Sequence, residues 1–318
     1  MHNYSIIQKV FHNICFSFKV INKSMYEIEK LIYLKRITLN KIADKKHIFI
    51  TGLPRSGTTI LLNFLYSSNR YASLTYRDMP FTTAINLFSN ISNLSNYEKK
   101  PRVHNDRIFY DLDSPEALDE VFFQLFDKDQ VEEELVNYVS LILLKYKKEQ
   151  YLSKNNFNYQ RVDLIKKAFP NSIFLIPFRD PLQQSYSLLK QHINFTKLQN
   201  NDTFILKYMN YLGHTEFGKN HKSWNSPQLF KDTFVINYWL EQWKIFYLDM
   251  FKSYKYKKNY YFICYEKLTD KDYVKDLLKN IDFHQKIESN FDNKIMDIEL
   301  DYDKKLYSQA LEIYRDLK

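Results

Sequence analysis

Four glycines in 318 residues leave the backbone few places to turn sharply or approach a ligand closely, and two of them fall in one octapeptide, Gly52-Leu-Pro-Arg-Ser-Gly57-Thr58-Thr59. Glycine reaches positive φ without steric cost, so its concentration here predicts a tight loop. Upstream, His47-Ile-Phe-Ile-Thr51 reads as a short buried strand; downstream, Ile60-Leu-Leu-Asn-Phe-Leu65 reads as the apolar side of a helix. A strand, a tight loop and a helix N-terminus point free backbone N–H groups and a positive dipole end at one place, which suits a phosphate. The spacing is that of a Walker A loop, except that Thr58 stands where the Lys belongs. A nucleoside-triphosphate hydrolase needs that Lys on its β- and γ-phosphates. The loop's one cation, Arg55, lies before the second Gly. Such a loop is suited to hold a phosphate but is not equipped like an ATPase.

A second junction of the same kind follows about 120 residues later. Ser172-Ile-Phe-Leu-Ile-Pro-Phe178 has the composition of a buried parallel strand. Arg179 ends it, and Asp180-Pro181 supplies an N-cap and a first helical residue. Ser187 lies eight positions after Arg179, so roughly 9 Å of helix separates it from Pro181. An Arg at the strand end and a hydroxyl on the adjoining helix can then meet one anion. On the residues alone, Arg179 paired with a carboxylate and Ser187 as an ordinary helical residue remains the alternative.

Pro54-Arg-Ser-Gly-Thr-Thr59 resembles the 5′-phosphosulfate loop of sulfotransferases, which use 3′-phosphoadenosine 5′-phosphosulfate (PAPS). The Arg version resembles the tyrosylprotein and bacterial branches. Phe-Arg-Asp-Pro-Leu-Gln-Gln-Ser-Tyr-Ser187 resembles their 3′-phosphate motif, in which an Arg and a Ser at this spacing hold the phosphate. Arg102-Val-His104-Asn-Asp106, Ser114-Pro-Glu-Ala117, Gly213-His-Thr-Glu-Phe-Gly218, Tyr238-Trp-Leu-Glu-Gln-Trp243 and Tyr260-Tyr-Phe-Ile-Cys-Tyr265-Glu-Lys-Leu268 are similar to stretches of the same superfamily. The Arg-Lys-Gly stretch of the cytosolic small-molecule branch has no counterpart. The resemblance implies a P-loop-like three-layer α/β fold, a central parallel sheet flanked by helices. It implies PAPS as donor, with the 5′-phosphate on the backbone N–H groups of Ser56, Gly57, Thr58 and Thr59 and the 3′-phosphate on Arg179 and Ser187. Arg55 and Lys154, the latter in a turn at Lys154-Asn-Asn-Phe157, would flank the sulfonate.

Sulfuryl transfer is analogous to phosphoryl transfer, with catalysis mainly by positioning and charge stabilisation. The sulfonate carries less charge than a terminal phosphate, so no metal is expected, and the sequence offers no convincing ligand cluster. An acceptor hydroxyl or amine must lose a proton, which calls for a base. His104 with Asp106, a compact His-x-Asp pair, is the first candidate. Asp78, 23 residues past Arg55, is the second, and Glu116, read as a helix-end carboxylate, the third. His214 and Glu216 line an acceptor pocket or serve the fold. A catalytically inactive donor-binding protein and a kinase-like phosphotransferase are the competing functions. The latter lacks its Walker Lys and a strand-end Asp for a metal.

The formal net charge of +9 suits an enzyme whose donor is polyanionic. Nucleic acid, the other partner such a charge suggests, is not expected, because the Lys residues are dispersed among acids. Cys15 and Cys264, far apart, give neither a disulfide framework nor a zinc site. No apolar run reaches 18 residues, and the stretch from Ile6 to Val20 is interrupted by Gln8, Lys9, His12 and Lys19, so neither a membrane span nor a secretory signal is expected and a cytoplasmic location follows. Oligomeric state and acceptor are left open. The expected organisation is one sulfotransferase-like domain over 1–318, with a helical extension at 1–45, a core at 46–290 and a helical segment at 291–318. Ser24 and Glu27 read as a capping box opening a helix whose face of Met25, Ile28, Leu31 and Ile32 packs on the core. Ser114 and Pro115 read as the start of another, and residues 129–148 as a third with Val131, Leu135, Val139 and Ile142 on one stripe.

Overall fold

Five short apolar runs form a parallel sheet: β1 (Ile48–Ile50), β2 (Tyr71–Ala72), β3 (Gln150–Lys154), β4 (Ile173–Phe178) and β5 (Tyr260–Cys264). Their spatial order is β2-β3-β1-β4-β5, with Ile50 level with Lys154 on one side and with Leu175 on the other. This computed structural model describes residues 9, 10, 12, 15, 19–36, 39–92, 100, 101, 109–224, 229–285, 287, 288, 291–293 and 295–318.

Both faces of the sheet are covered, which is why its strands are apolar throughout rather than alternating. Ile48, Ile50, Leu152 and Leu175 pack with Leu61 and Leu65 of α2 (Thr58–Tyr66) and Val274 and Leu277 of α7 (Lys271–Asn280). On the opposite face Phe49, Tyr151 and Phe174 meet Leu135, Val139 and Ile142 of α3 (Lys128–Tyr146) and Ile165 of α4 (Val162–Ala168). Under the β4–β5 half of that face lie α5 (Pro181–Asn201), α6 (Ile236–Tyr254) and α8 (Lys304–Leu317), with Trp239 and Trp243 fully buried among them. The three-layer α/β architecture and the stripe on α3 are as the sequence predicts.

Two local expectations are overturned. The helix read as starting at Ser24 begins earlier, as α1 (Lys19–Tyr33), and it is turned the other way: Asn22, Tyr26 and Glu29 are buried, while Val20, Ile28, Leu31 and Ile32 are exposed. The wall beneath it decides this. Glu29, fully buried, accepts from Asn86 N at 3.0 Å, Asn86 Nδ2 at 2.7 Å and Leu87 N at 3.1 Å, and a buried carboxylate must be hydrogen-bonded. Burial raises the Glu29 pKa against the lowering effect of those bonds.

Ser114 and Pro115 do not open a helix. Thr75 and Pro115 form an antiparallel bridge, flanked by Glu116 N to Leu74 O at 3.0 Å and Arg77 N to Leu112 O at 2.8 Å. Capture by the 74–77 segment, an isolated bridge running into the 76–78 turn, outweighs the local Ser-Pro-Glu signal, and the next helix waits until Glu120–Phe123. Among the described residues no helix is long and apolar enough to cross a membrane.

Candidate functional site

The loop leaves β1 at its carboxyl end, with Thr51 N still donating to Leu175 O at 3.0 Å. Its conformation needs glycine at Gly57, where φ is 97° and an added Cβ would lie 2.6 Å from Cδ2 of Tyr265. Gly57 is also the N-cap of α2 and has no side chain to accept from the first-turn N–H groups. The Ser56 hydroxyl is spent inside the loop, donating to Leu53 O at 2.8 Å. Arg55 sits at φ 68°, a left-handed conformation that costs a non-glycine residue about 1–2 kcal/mol. It carries the Arg55 side chain to α5, where Nε donates to Ser187 Oγ at 3.0 Å.

The second junction forms as expected. Asp180 caps α5, accepting from Leu182 N and Gln183 N at 3.0 and 2.9 Å, with Pro181 in the first turn. Arg179 is 8% exposed; its Nε lies 3.9 Å from Glu266 Oε1, and its guanidinium stands 4.9 Å over the Tyr265 ring. Glu266 also accepts from Asp180 N at 2.8 Å and from Tyr314 OH at 3.1 Å. Residues from the end of β5 therefore position both Gly57 and Arg179.

A strut ties the junctions together. Gln184 donates from Nε2 to Pro54 O at 3.0 Å and accepts at Oε1 from Trp243 Nε1 at 2.9 Å. Tyr247 OH donates to Pro177 O at 2.8 Å beside it. The sequence reading assigned no role to Gln184, Tyr265 or Glu266. The Tyr-Glu-x-Leu stretch was visible, but its contact with the loop crosses about 200 residues of chain and carries no local signal.

On the β2–β3 side, Lys154 is not in a turn; it is the last residue of β3, and Asn155 N donates to Ile50 O at 3.1 Å. Lys154 and Glu116 are each 8% exposed, with Nζ 3.5 Å from Oε1. Tyr76 OH donates to Glu116 Oε2 at 2.7 Å, and Ala117 N to Oε1 at 2.9 Å. Asp78 has both oxygens engaged: Oδ2 accepts from Thr75 N at 2.7 Å and Tyr146 OH at 2.6 Å, and Oδ1 pairs with Lys145. It closes a capping box on the 76–78 turn and is 2% exposed. Asp119 is likewise committed, to Ser153 Oγ and Asn155 Nδ2 at 2.9 Å for the latter, and burial raises its pKa. His104 and Asp106 lie outside the described residues.

Glu216 accepts from Asn156 Nδ2 at 3.0 Å, and His214 Nδ1 lies 3.6 Å from its Oε2. Burial pushes the Glu216 pKa up, but the His214 charge and the bonds from His214 and Asn156 outweigh it and hold the carboxyl low. Among the described residues no group of three or more His, Cys, Asp or Glu side chains is placed to hold a metal ion.

A glycine loop at one βα junction, joined through Arg55 to Ser187 at the junction of the neighbouring strand, belongs to the P-loop-like α/β class of folds. The model of the sulfotransferase family matches residues 47–238, and the chain belongs to that family. The match includes the loop, Glu116, Lys154, Arg179 and Ser187, and ends before Tyr265 and Glu266. No curated protein matches the sequence. Among solved structures the chain is similar to sulfotransferase STF1 from Mycobacterium tuberculosis, at 12% identity and TM-score 0.51, over 93% of this chain and 78% of that one. It is also similar to sulfotransferase STF9 from Mycobacterium avium, at 12% identity and TM-score 0.39, over 86% and 68%.

Proposed function

We propose that the protein moves a sulfonate from PAPS to a hydroxyl or amine acceptor. The observation that carries this reading is the 3.0 Å bond from Arg55 Nε to Ser187 Oγ, which makes one site of two anion-binding junctions. A donor bearing phosphate at both the 3′ and 5′ positions fits such a site, and PAPS supplies the activated sulfonate. The residues present suit it: a glycine cradle with helix N–H groups at one end, Arg179 and the Ser187 hydroxyl at the other.

In this reading the N–H groups of Ser56, Gly57, Thr58 and Thr59 hold the 5′-phosphate, and Arg179 with Ser187 holds the 3′-phosphate. Arg55, fixed in a strained conformation by its loop, meets charge developing on the bridging and sulfonate oxygens. Lys154, held at the adjacent strand end by the β1–β3 register, meets the sulfonate from the other side. Positioning of this sort acts without covalent chemistry by the protein.

Calorimetry tests the reading. The 3′,5′-adenosine bisphosphate product is expected to bind more tightly than adenosine 5′-monophosphate by about 1.5–3 kcal/mol, the worth of a charged hydrogen-bonded contact. Equal affinities overturn it.

A further inference from the structure

We infer that the outward face of α1 docks the protein on an anionic membrane surface. Surface helices of globular proteins turn aliphatic residues to the core and polar ones to water; α1 does the reverse. Asn22, Tyr26 and Glu29 are buried, while Val20, Ile21, Ile28, Leu31 and Ile32 are 76, 41, 48, 68 and 45% exposed. Helical spacing sets these five aliphatics within roughly 120° of arc, on the side away from the three buried residues.

The inner face of the helix holds them there. Tyr26 OH donates to Glu134 Oε2 at 2.7 Å, Lys30 Nζ lies 2.5 Å from Glu134 Oε1, and Glu29 takes the bonds from Asn86 and Leu87. Turning α1 to bury its aliphatics would break these bonds and strand a buried carboxylate. An apolar stripe kept in water in this way marks a surface for another body.

Charge names that body. Residues 19–46 hold eight Lys and Arg against three Asp and Glu, so these 28 residues carry +5 of the chain's net +9. Lys19 and Lys23 stand one turn apart along one flank of the stripe, and Lys19, Lys35 and Lys41 are exposed. Glu27, on the same flank, is answered by Lys30 at 3.1 Å. Aliphatic side chains bordered by lysines suit a helix lying in a bilayer interface, its apolar face among acyl chains and its ammonium groups at anionic headgroups. Because α1 is tied to α3 by Tyr26 and Lys30, it lies along the surface rather than across it. A second copy of this chain fits less well, since face-to-face pairing sets two such positive segments against each other. Burial of the aliphatics is insensitive to salt, whereas attraction of the lysines is screened by it, so the two contributions can be separated.

The test sediments the full chain with vesicles of phosphatidylcholine alone and of phosphatidylcholine mixed with phosphatidylserine, at low and high salt. The wild-type protein is expected to bind the mixed vesicles at low salt, to leave them as salt rises, and to stay in solution with phosphatidylcholine alone. Ile28→Gln combined with Leu31→Gln is expected to lower the partition coefficient by ~10-fold or more. Its melting temperature should stay at the wild-type value, since both side chains already face water. Lys19→Gln combined with Lys35→Gln is expected to lower partition by a similar ~10-fold and to flatten its salt dependence. Equal binding to both kinds of vesicle, binding to neither, or full binding by the aliphatic variant overturns the proposal. So does a dimer, seen by light scattering, that the aliphatic variant disperses, because the face then belongs to a second copy.

Discussion

The loop side and the β2–β3 side of the candidate site are built in opposite ways. Around the loop and the start of α5, backbone does the work: a glycine at φ 97°, an Arg at φ 68°, a capped helix and a Gln184 strut bring the Arg55 side chain onto Ser187 and hold Arg179 at the end of β4. Around Asp78, Glu116 and Lys154, buried charges hold each other: Lys145 with Asp78, Lys154 with Glu116, and tyrosine hydroxyls on both acids. A backbone-built site keeps its geometry when a side chain is lost. A charge-built site does not, because removing one partner strands the other in a poorly solvated place.

Asp78→Asn gives the largest expected effect. Replacing the carboxylate leaves Lys145, 11% exposed, opposite a neutral amide, and one-sided loss of a buried pair costs about 3–5 kcal/mol. Chemical denaturation should read this loss, while kcat per folded molecule stays near wild type. A normally stable but inactive Asp78→Asn would erase the contrast and return this acid to the chemistry. Next is Arg55→Ala, where turnover should fall by roughly 10²–10³ with the melting temperature unchanged, the pattern for a group whose interaction is realised in the transition state.

Gly57→Ala comes third. The positive φ alone costs ~1–2 kcal/mol, and displacement of the Tyr265 ring adds to it, so both thermal stability and affinity for the bisphosphate should drop. A variant that binds the bisphosphate normally would show that the cradle is looser than the backbone angles imply. The coupling of Arg55 with Ser187 is smaller. A cycle of Arg55→Ala, Ser187→Ala and the double variant, read in bisphosphate affinity, should show an interaction of about 0.5–3 kcal/mol; strict additivity would separate the two junctions again. Leu31→Lys on the outer face of α1 should move stability by no more than about 0.5 kcal/mol, since that side chain is 68% exposed.

The sequence by itself determined the two strand-to-helix junctions. Gly52 to Thr59 and Phe178 to Ser187 are contiguous motifs whose spacing dictates local geometry, and strand composition placed both at carboxyl ends of a parallel sheet. It also carried the apolar stripe of α3, because a stripe that packs on a core reads directly as periodicity. Tertiary structure decided the rest. Tyr265 and Glu266 reach Gly57 and Arg179 only because β5 lies beside β4. Lys154 meets Glu116 only because 112–116 pairs with 74–77. The orientation of α1 followed the bonds from Asn86 and Leu87 to the buried Glu29 rather than its own apolar face. Periodicity records how much apolar surface a helix has; which face turns inward depends on the polar groups of the wall it meets, and a buried carboxylate met by three donors outweighs a few exposed aliphatic side chains.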